Sequence, residues 1–70
     1  MFWWFERAGR YLRCETRGRP EGGYELHVIN PDGAERVEQF DDSADLSRRQ
    51  MAIEHDLRAE GWSGPHGWTI

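Results

Sequence analysis

The chain has 70 residues, a net charge of −4 and a single cysteine. A domain of this length buries only about 60% of the surface its unfolded chain exposes, so the core must be rich in large side chains or be completed by a second subunit. The lone Cys14 excludes an internal disulfide, and Cys14, His27, His55 and His66 stand too far apart for a zinc-ligand pattern.

Large side chains are plentiful: four Trp, two Tyr and three Phe, each able to bury about 150–250 Å². All nine basic residues are Arg. Residues 1–20 carry five Arg against two Glu, a charge of +3, whereas residues 21–45 carry one Arg against eight acids, a charge of −7. Residues 46–70 balance three Arg with three acids. The acidic total disfavours non-specific nucleic-acid binding, and the basic first segment keeps a local version of it open.

The chain begins Phe2-Trp3-Trp4-Phe5, an apolar run stopped by Glu6 and Arg7. It is too short for the hydrophobic stretch of a signal peptide or for a membrane span, which leaves only an interfacial anchor as a membrane use. The expectation is a soluble, cytoplasmic module of bacterial type with no membrane partner.

Segments 2–7 and 10–17 read as two strands joined by a two-residue loop, Ala8-Gly9. That loop pairs Trp3 with Cys14, Trp4 with Arg13 and Phe5 with Leu12. Directly opposed residues share a face, so Trp3, Phe5, Leu12 and Cys14 form an apolar face. Phe2, Trp4, Glu6, Tyr11, Arg13 and Glu15 form a mixed aromatic and charged one. Arg17 to Gly23 is a loop by its Gly and Pro density.

Tyr24, Leu26 and Val28 then alternate with Glu25, His27 and Ile29, and Asn30-Pro31-Asp32-Gly33 is a turn signal leading into a strand at 34–40. Two registers compete for this second hairpin. A two-residue loop pairs Leu26 with Val37 and unites two apolar residues. A three-residue loop with a glycine bulge pairs His27 with Val37 and suits the turn residues.

Beyond Asp41 the period changes. Asp41, Asp42 and Ser43 offer capping side chains, and Leu46, Ile53 and Leu57, joined by Gln50, fall on one helical stripe. Asp45–Arg49 and Glu54–Arg58 are favourable i,i+4 pairs. Gly61 suits the position after the helix, with Trp62 covering Leu57, which gives a helix over about 43–60. The tail is too rich in Gly and Pro to extend the helix and too aromatic to stay free, so Trp62, Trp68 and Ile70 are expected to fold back on the body. The fold class is α+β: one domain over residues 1–70, a four-stranded antiparallel meander of two hairpins, then one C-terminal helix and an extended aromatic tail.

The order of four strands followed by a helix resembles the layout of single-strand-binding transcriptional coactivators and the related Whirly proteins. The resemblance lies in element order alone and implies a DNA-gripping sheet and a helix-mediated dimer.

A single narrow helix stripe covers one sheet face. The opposite face, with Phe2, Trp4, Tyr11, Arg13 and the neighbouring Arg10, becomes the candidate contact surface. Trp4 opposite Arg13 suits a cross-strand cation–π pair, half of a dimer interface, or a stacking site for a single strand. Met51, His55 and Ala44 fall opposite the helix stripe, where the plain reading is solvent exposure and the sharper one a weak second contact surface. Cys14 on the apolar face reads as inert, and His66, with Ser63 nearby, reads as a turn histidine beside packed tryptophans, without an oriented partner. The acids at 35–45 lack EF-hand spacing, and the glycines at 18–23 lack the setting of a phosphate loop. The sequence therefore points to a non-enzymatic module with no cofactor and no metal. It is expected to act as a homo-oligomer, most simply a homodimer, or on another protein partner. Single-stranded nucleic-acid binding is the alternative.

Overall fold

Ala8 and Gly9 both have positive φ, 51° and 78°, the twist a two-residue hairpin loop requires. They join β1 (Phe2–Arg7) to β2 (Arg10–Gly18) in the expected register, with Trp3 opposite Cys14, Trp4 opposite Arg13 and Phe5 opposite Leu12. The side chains of β1 alternate accordingly. Trp3 and Phe5 are buried at 4% and 1% exposure, while Phe2 is exposed and Trp4 half-buried on the other side.

The computed structural model describes the backbone of residues 1–69 and the side chains of residues 1–67. Two further strands, β3 (Tyr24–Ile29) and β4 (Glu35–Phe40), precede helix α1 (Ser43–Ala59), and a fifth, β5 (Ser63–Thr69), follows it. The sheet is antiparallel throughout, in the order β4-β3-β2-β1-β5. The expectation of four strands with an extended tail is thereby corrected. Segment 63–69 does fold back, but as an edge strand hydrogen-bonded to β1, with Phe2 opposite Thr69, Trp4 opposite His66 and Glu6 opposite Ser63. A strand rich in Gly and Pro is tolerated at an edge, where only one side of the ladder must be satisfied. Trp62 packs on the core; the side chain of Trp68 and all of Ile70, also expected to dock, lie outside the described residues.

The second hairpin takes the register of the turn chemistry. His27 faces Val37, Gly33 N–H donates to the Asn30 carbonyl at 2.9 Å and Asn30 N–H to the Ala34 carbonyl at 2.8 Å, with Gly33 at φ 93°. The Asp32 carboxylate caps the loop by accepting from Ala34 N–H at 2.9 Å. Val37, which the apolar pattern would pair with Leu26, instead shares the outer face with His27 and is 48% exposed. Glu38 takes the place opposite Leu26.

Asp42 caps α1, its carboxylate accepting from Asp45 N–H at 2.9 Å. The helix ends in a Schellman arrangement: Trp62 N–H donates to the Leu57 carbonyl at 2.9 Å and Gly61 N–H to the Arg58 carbonyl at 3.0 Å, with Gly61 at φ 93°. Because β4 and β5 lie at opposite edges, α1 must cross the sheet. Its 17 residues span about 25 Å, enough to bridge the roughly 19 Å between the outermost of five strands. Leu46 and Leu57 are buried and Ile53 partly so, against Trp3, Phe5, Leu12, Cys14, Leu26 and Val28.

Ion pairs fasten the crossing helix. The Arg49 guanidinium donates to both Glu38 carboxylate oxygens, at 2.9 and 3.2 Å, and so ties α1 to β4. The expected Asp45–Arg49 pair is therefore replaced: Asp45 pairs with Arg48 one position earlier. Glu54–Arg58 forms as expected at 3.1 Å, and the Arg58 guanidinium also donates to the Gly64 carbonyl, at 3.1 and 3.0 Å, holding the start of β5. Among the described residues no helix is long and apolar enough to cross a membrane.

Ala8 carries a left-handed backbone that costs a residue with a Cβ roughly 1 kcal/mol. Replacing it with the residue that such loops favour, Ala8→Asn, is expected to raise stability by up to about 1 kcal/mol in urea denaturation, with the m-value unchanged.

Candidate functional site

The sheet face turned away from α1 follows from the two registers. One row across it runs Trp4, Arg13, Ile29, Glu35, with His66 on β5 beside Trp4; the next runs Phe2, Glu15, His27, Val37. Tyr11, opposite Glu6, completes it and is 53% exposed. Five apolar or aromatic side chains (Phe2, Trp4, Tyr11, Ile29 and Val37) thus stand on a face that no helix covers.

Four of the five residues singled out from the sequence meet there. Phe2, Trp4, Tyr11 and Arg13 line a shallow depression of about 300 Å³. Arg10 points to the helix side by strand alternation. At the end of the hairpin it nevertheless lines an adjoining groove of about 460 Å³ with Tyr11, Arg13, Asn30 and Pro31. Tyr11 and Arg13 belong to both hollows, which therefore run together. Among the described residues neither Arg10 nor Arg13 forms an ion pair.

Trp4 does not stack with Arg13. Its ring contacts are with Phe2 at 6.0 Å and with His66 at 6.1 Å between centroids, both tilted by 38°. A Cβ built on Gly67 would overlap the six-membered ring of Trp4, and one on Gly64 would come within 2.8 Å of the Phe5 ring. These two glycines of β5 therefore let the strand lie directly against β1. One side of the Trp4 indole is spent on the chain's own edge strand, and the remainder is open.

His27 is the buried polar residue of the described core, 8% exposed although it lies on the outer face. Its Nδ1 is 2.9 Å from Glu35 Oε2 and its Nε2 3.0 Å from Glu25 Oε1. Carboxylates only accept, and a neutral imidazole has one donor and one acceptor nitrogen, so only the imidazolium satisfies both contacts. The Glu35 and then the Glu25 hydrogen bond accordingly hold the His27 pKa above its ordinary value, against the lowering effect of partial burial and of Arg17. Glu15, opposite His27, is engaged by Arg17, which keeps its carboxyl below the usual range.

A mid-strand histidine beside a core position is expected to make a cross-strand polar contact, and His27 makes one with Glu35 on β4. Glu25 at i−2 on the same face was a legible signal, but Glu35 arrives only through the three-residue loop. Sequence reading also missed the contact between Ser63 and His66, with Ser63 Oγ 3.2 Å from His66 Nε2. The Ser63 hydroxyl donates to the Glu6 carbonyl at 3.1 Å. The proton on that side of the ring must then belong to His66, the wrong tautomer for a base acting on Ser63. The bond from Ser63 to Glu6 ties β5 to β1, while the contact between Ser63 and His66 stays within β5.

Cys14, at 1% exposure, has its thiol pushed up to about 12 by burial. Ala44, Met51 and His55 are exposed on α1. On the helix side, Met1, Trp3, Gln50 and Met51 help line a cleft of about 280 Å³ beside the crossing point.

No family model, curated protein or solved structure matches this chain.

Gly67→Ala is expected to destabilise the chain by more than about 1 kcal/mol, because it adds both a positive-φ penalty at 74° and a collision with Trp4. Urea denaturation alongside a Gly22→Ala control, where a Cβ meets nothing within 4 Å, separates the collision from the backbone cost.

Proposed function

We propose that this chain is a small non-enzymatic module that acts through protein contact, as a homodimer joined across the outer face of its sheet. The observation that carries the reading is the depression formed by Phe2, Trp4, Tyr11 and Arg13 on a face that also exposes Val37. Antiparallel sheets tolerate one solvated face when that face is polar. This one carries an aromatic patch of Phe2, Trp4 and Tyr11 at its β1–β2 end, bordered by charged side chains, the kind of patch that marks a partner site.

Size supports a modest affinity. A face of five strands by about six residues is roughly 24 by 20 Å, so two such faces bury about 1,000 Å² in plane area, near the lower limit for a specific interface. Charge supports self-recognition. An isologous contact needs a surface complementary to itself. Here β2 offers Arg13 and β1 offers Glu6 on the same face, neither of them in an ion pair among the described residues. The non-enzymatic part rests on the inert setting of Cys14 and on the tautomer that binds Ser63 to His66.

Single-stranded nucleic-acid binding is the second reading, favoured by the unpaired Arg10 and Arg13 beside Tyr11 in the larger groove. Stacking on Trp4 and Tyr11 with phosphates on the two arginines would be the mode. The carboxylates of Glu15, Glu25 and Glu35 on the same face weigh against it.

Trp4→Ala is expected to weaken self-association while leaving the monomer folded. Trp3→Ala should cost about 3–5 kcal/mol of folding stability. Sedimentation combined with chemical denaturation reads both, and equal unfolding by the two variants would defeat the assignment of faces. For the second reading, titration of an oligonucleotide at low salt should quench tryptophan fluorescence with an affinity that falls steeply as salt rises; an unchanged signal removes it.

A further inference from the structure

We infer that the proton held between Glu25, His27 and Glu35 regulates self-association across the outer sheet face, so that the dimer forms with the cluster protonated and loosens when that proton leaves. The inference rests on the homodimer reading above and adds to it a control point.

His27 lies in the row Phe2, Glu15, His27, Val37, so a second copy seated on the aromatic hollow also covers this cluster. The charged groups facing the ring are Glu25 on its own strand, Glu35 on β4, and Glu15 and Arg17 on β2. Arg17 is committed to Glu15. With the proton present, both ring nitrogens donate and both carboxylates are paired. Without it, one carboxylate oxygen meets a ring lone pair. In the free chain Glu35, 47% exposed at its side chain, turns to water at small cost. Under a second copy it has no such exit, and an unpaired carboxylate taken out of water is strongly unfavourable. The dimer therefore holds the proton more tightly than the monomer, and by linkage rising pH favours the monomer.

The fold shares the sign. Because the folded-state value of His27 is raised above the ordinary 6.5, its contribution to stability is complete below that pH and is lost as pH rises through the folded value. Fold and association must therefore be read separately.

The test is sedimentation equilibrium of the full chain at roughly pH 6 and roughly pH 8.5, on either side of imidazole titration. Ionic strength is held fixed, and far-UV circular dichroism reports that the chain is folded at both. The wild type is expected to dimerise about a hundredfold more weakly at the higher pH, the change that release of two protons on dissociation, one from each protomer's cluster, gives over one pH unit. His27→Gln is expected to dimerise with the same affinity at both. Glu35→Gln, which replaces one accepting oxygen with an amide that can donate to the neutral ring, should reduce the shift and keeps the test available if His27→Gln does not fold.

A wild-type dimer of equal strength at both pH values overturns the inference and leaves the homodimer reading standing. So does an unchanged shift in His27→Gln, which would place the control outside this cluster. A wild type monomeric at both pH values at high concentration defeats the homodimer reading and this inference with it.

Discussion

The register of the first hairpin is the constraint from which the rest of the structure follows. Ala8 and Gly9 close a loop of two residues, which fixes Trp3 opposite Cys14 and so decides which aromatic side chains are inside. A slip of one residue would exchange the faces. Trp4 and Phe2 would then compete for the space under α1, and Trp3 and Phe5 would stand in water. Four aromatic residues in succession are thus a device for making two surfaces at once, a core wall on one side and an exposed patch on the other.

The fifth strand depends on that same alternation. β5 lies against β1 because Gly67 leaves room for the Trp4 ring and Gly64 for that of Phe5. It is fastened by Ser63 to the Glu6 carbonyl and by Arg58 to the Gly64 carbonyl. Trp4 therefore has two roles: part of its surface seals the edge strand, and the rest lines the hollow shared with Phe2, Tyr11 and Arg13. Meanwhile α1 is committed to the inner face by Leu46, Leu57 and the Arg49–Glu38 fork. The described chain has no further element with which to cover the outer face.

The groups that carry reactive chemistry elsewhere are here drawn into the architecture. Cys14 is a small apolar filler whose thiol stays protonated. Ser63 joins β5 to β1 through the Glu6 carbonyl, and His66 contacts Ser63 within β5. His27 is the exception, because its partners make its protonation state matter. Two carboxylates on adjacent strands share one imidazolium, and a proton becomes a structural component of the exposed face.

Much of this was legible in the sequence because it is set by neighbours along the chain. The Ala8-Gly9 loop, the two-faced pattern of residues 2–5, the Asp42 cap and the Gly61 stop are local, and each was met by the structure. The residues of the exposed hollow were legible for the same reason, since alternation across one tight hairpin places Phe2, Trp4, Tyr11 and Arg13 together. The competing registers of the second hairpin were both visible, and the turn prevailed because its hydrogen bonds form within five residues, whereas pairing Leu26 with Val37 would have sacrificed them for one apolar contact. What the sequence did not reveal depends on meetings across long separations. Pairing of β5 with β1 joins residues about sixty positions apart; no local period announces it, and a run of Gly and Pro argues against a strand until the bulk of Trp4 is known to need the space. The Glu25–His27–Glu35 cluster likewise exists only once β4 is laid beside β3. Propensity and alternation determined which side of each strand is apolar, and tertiary packing alone decided which strands became neighbours and which charges they brought together.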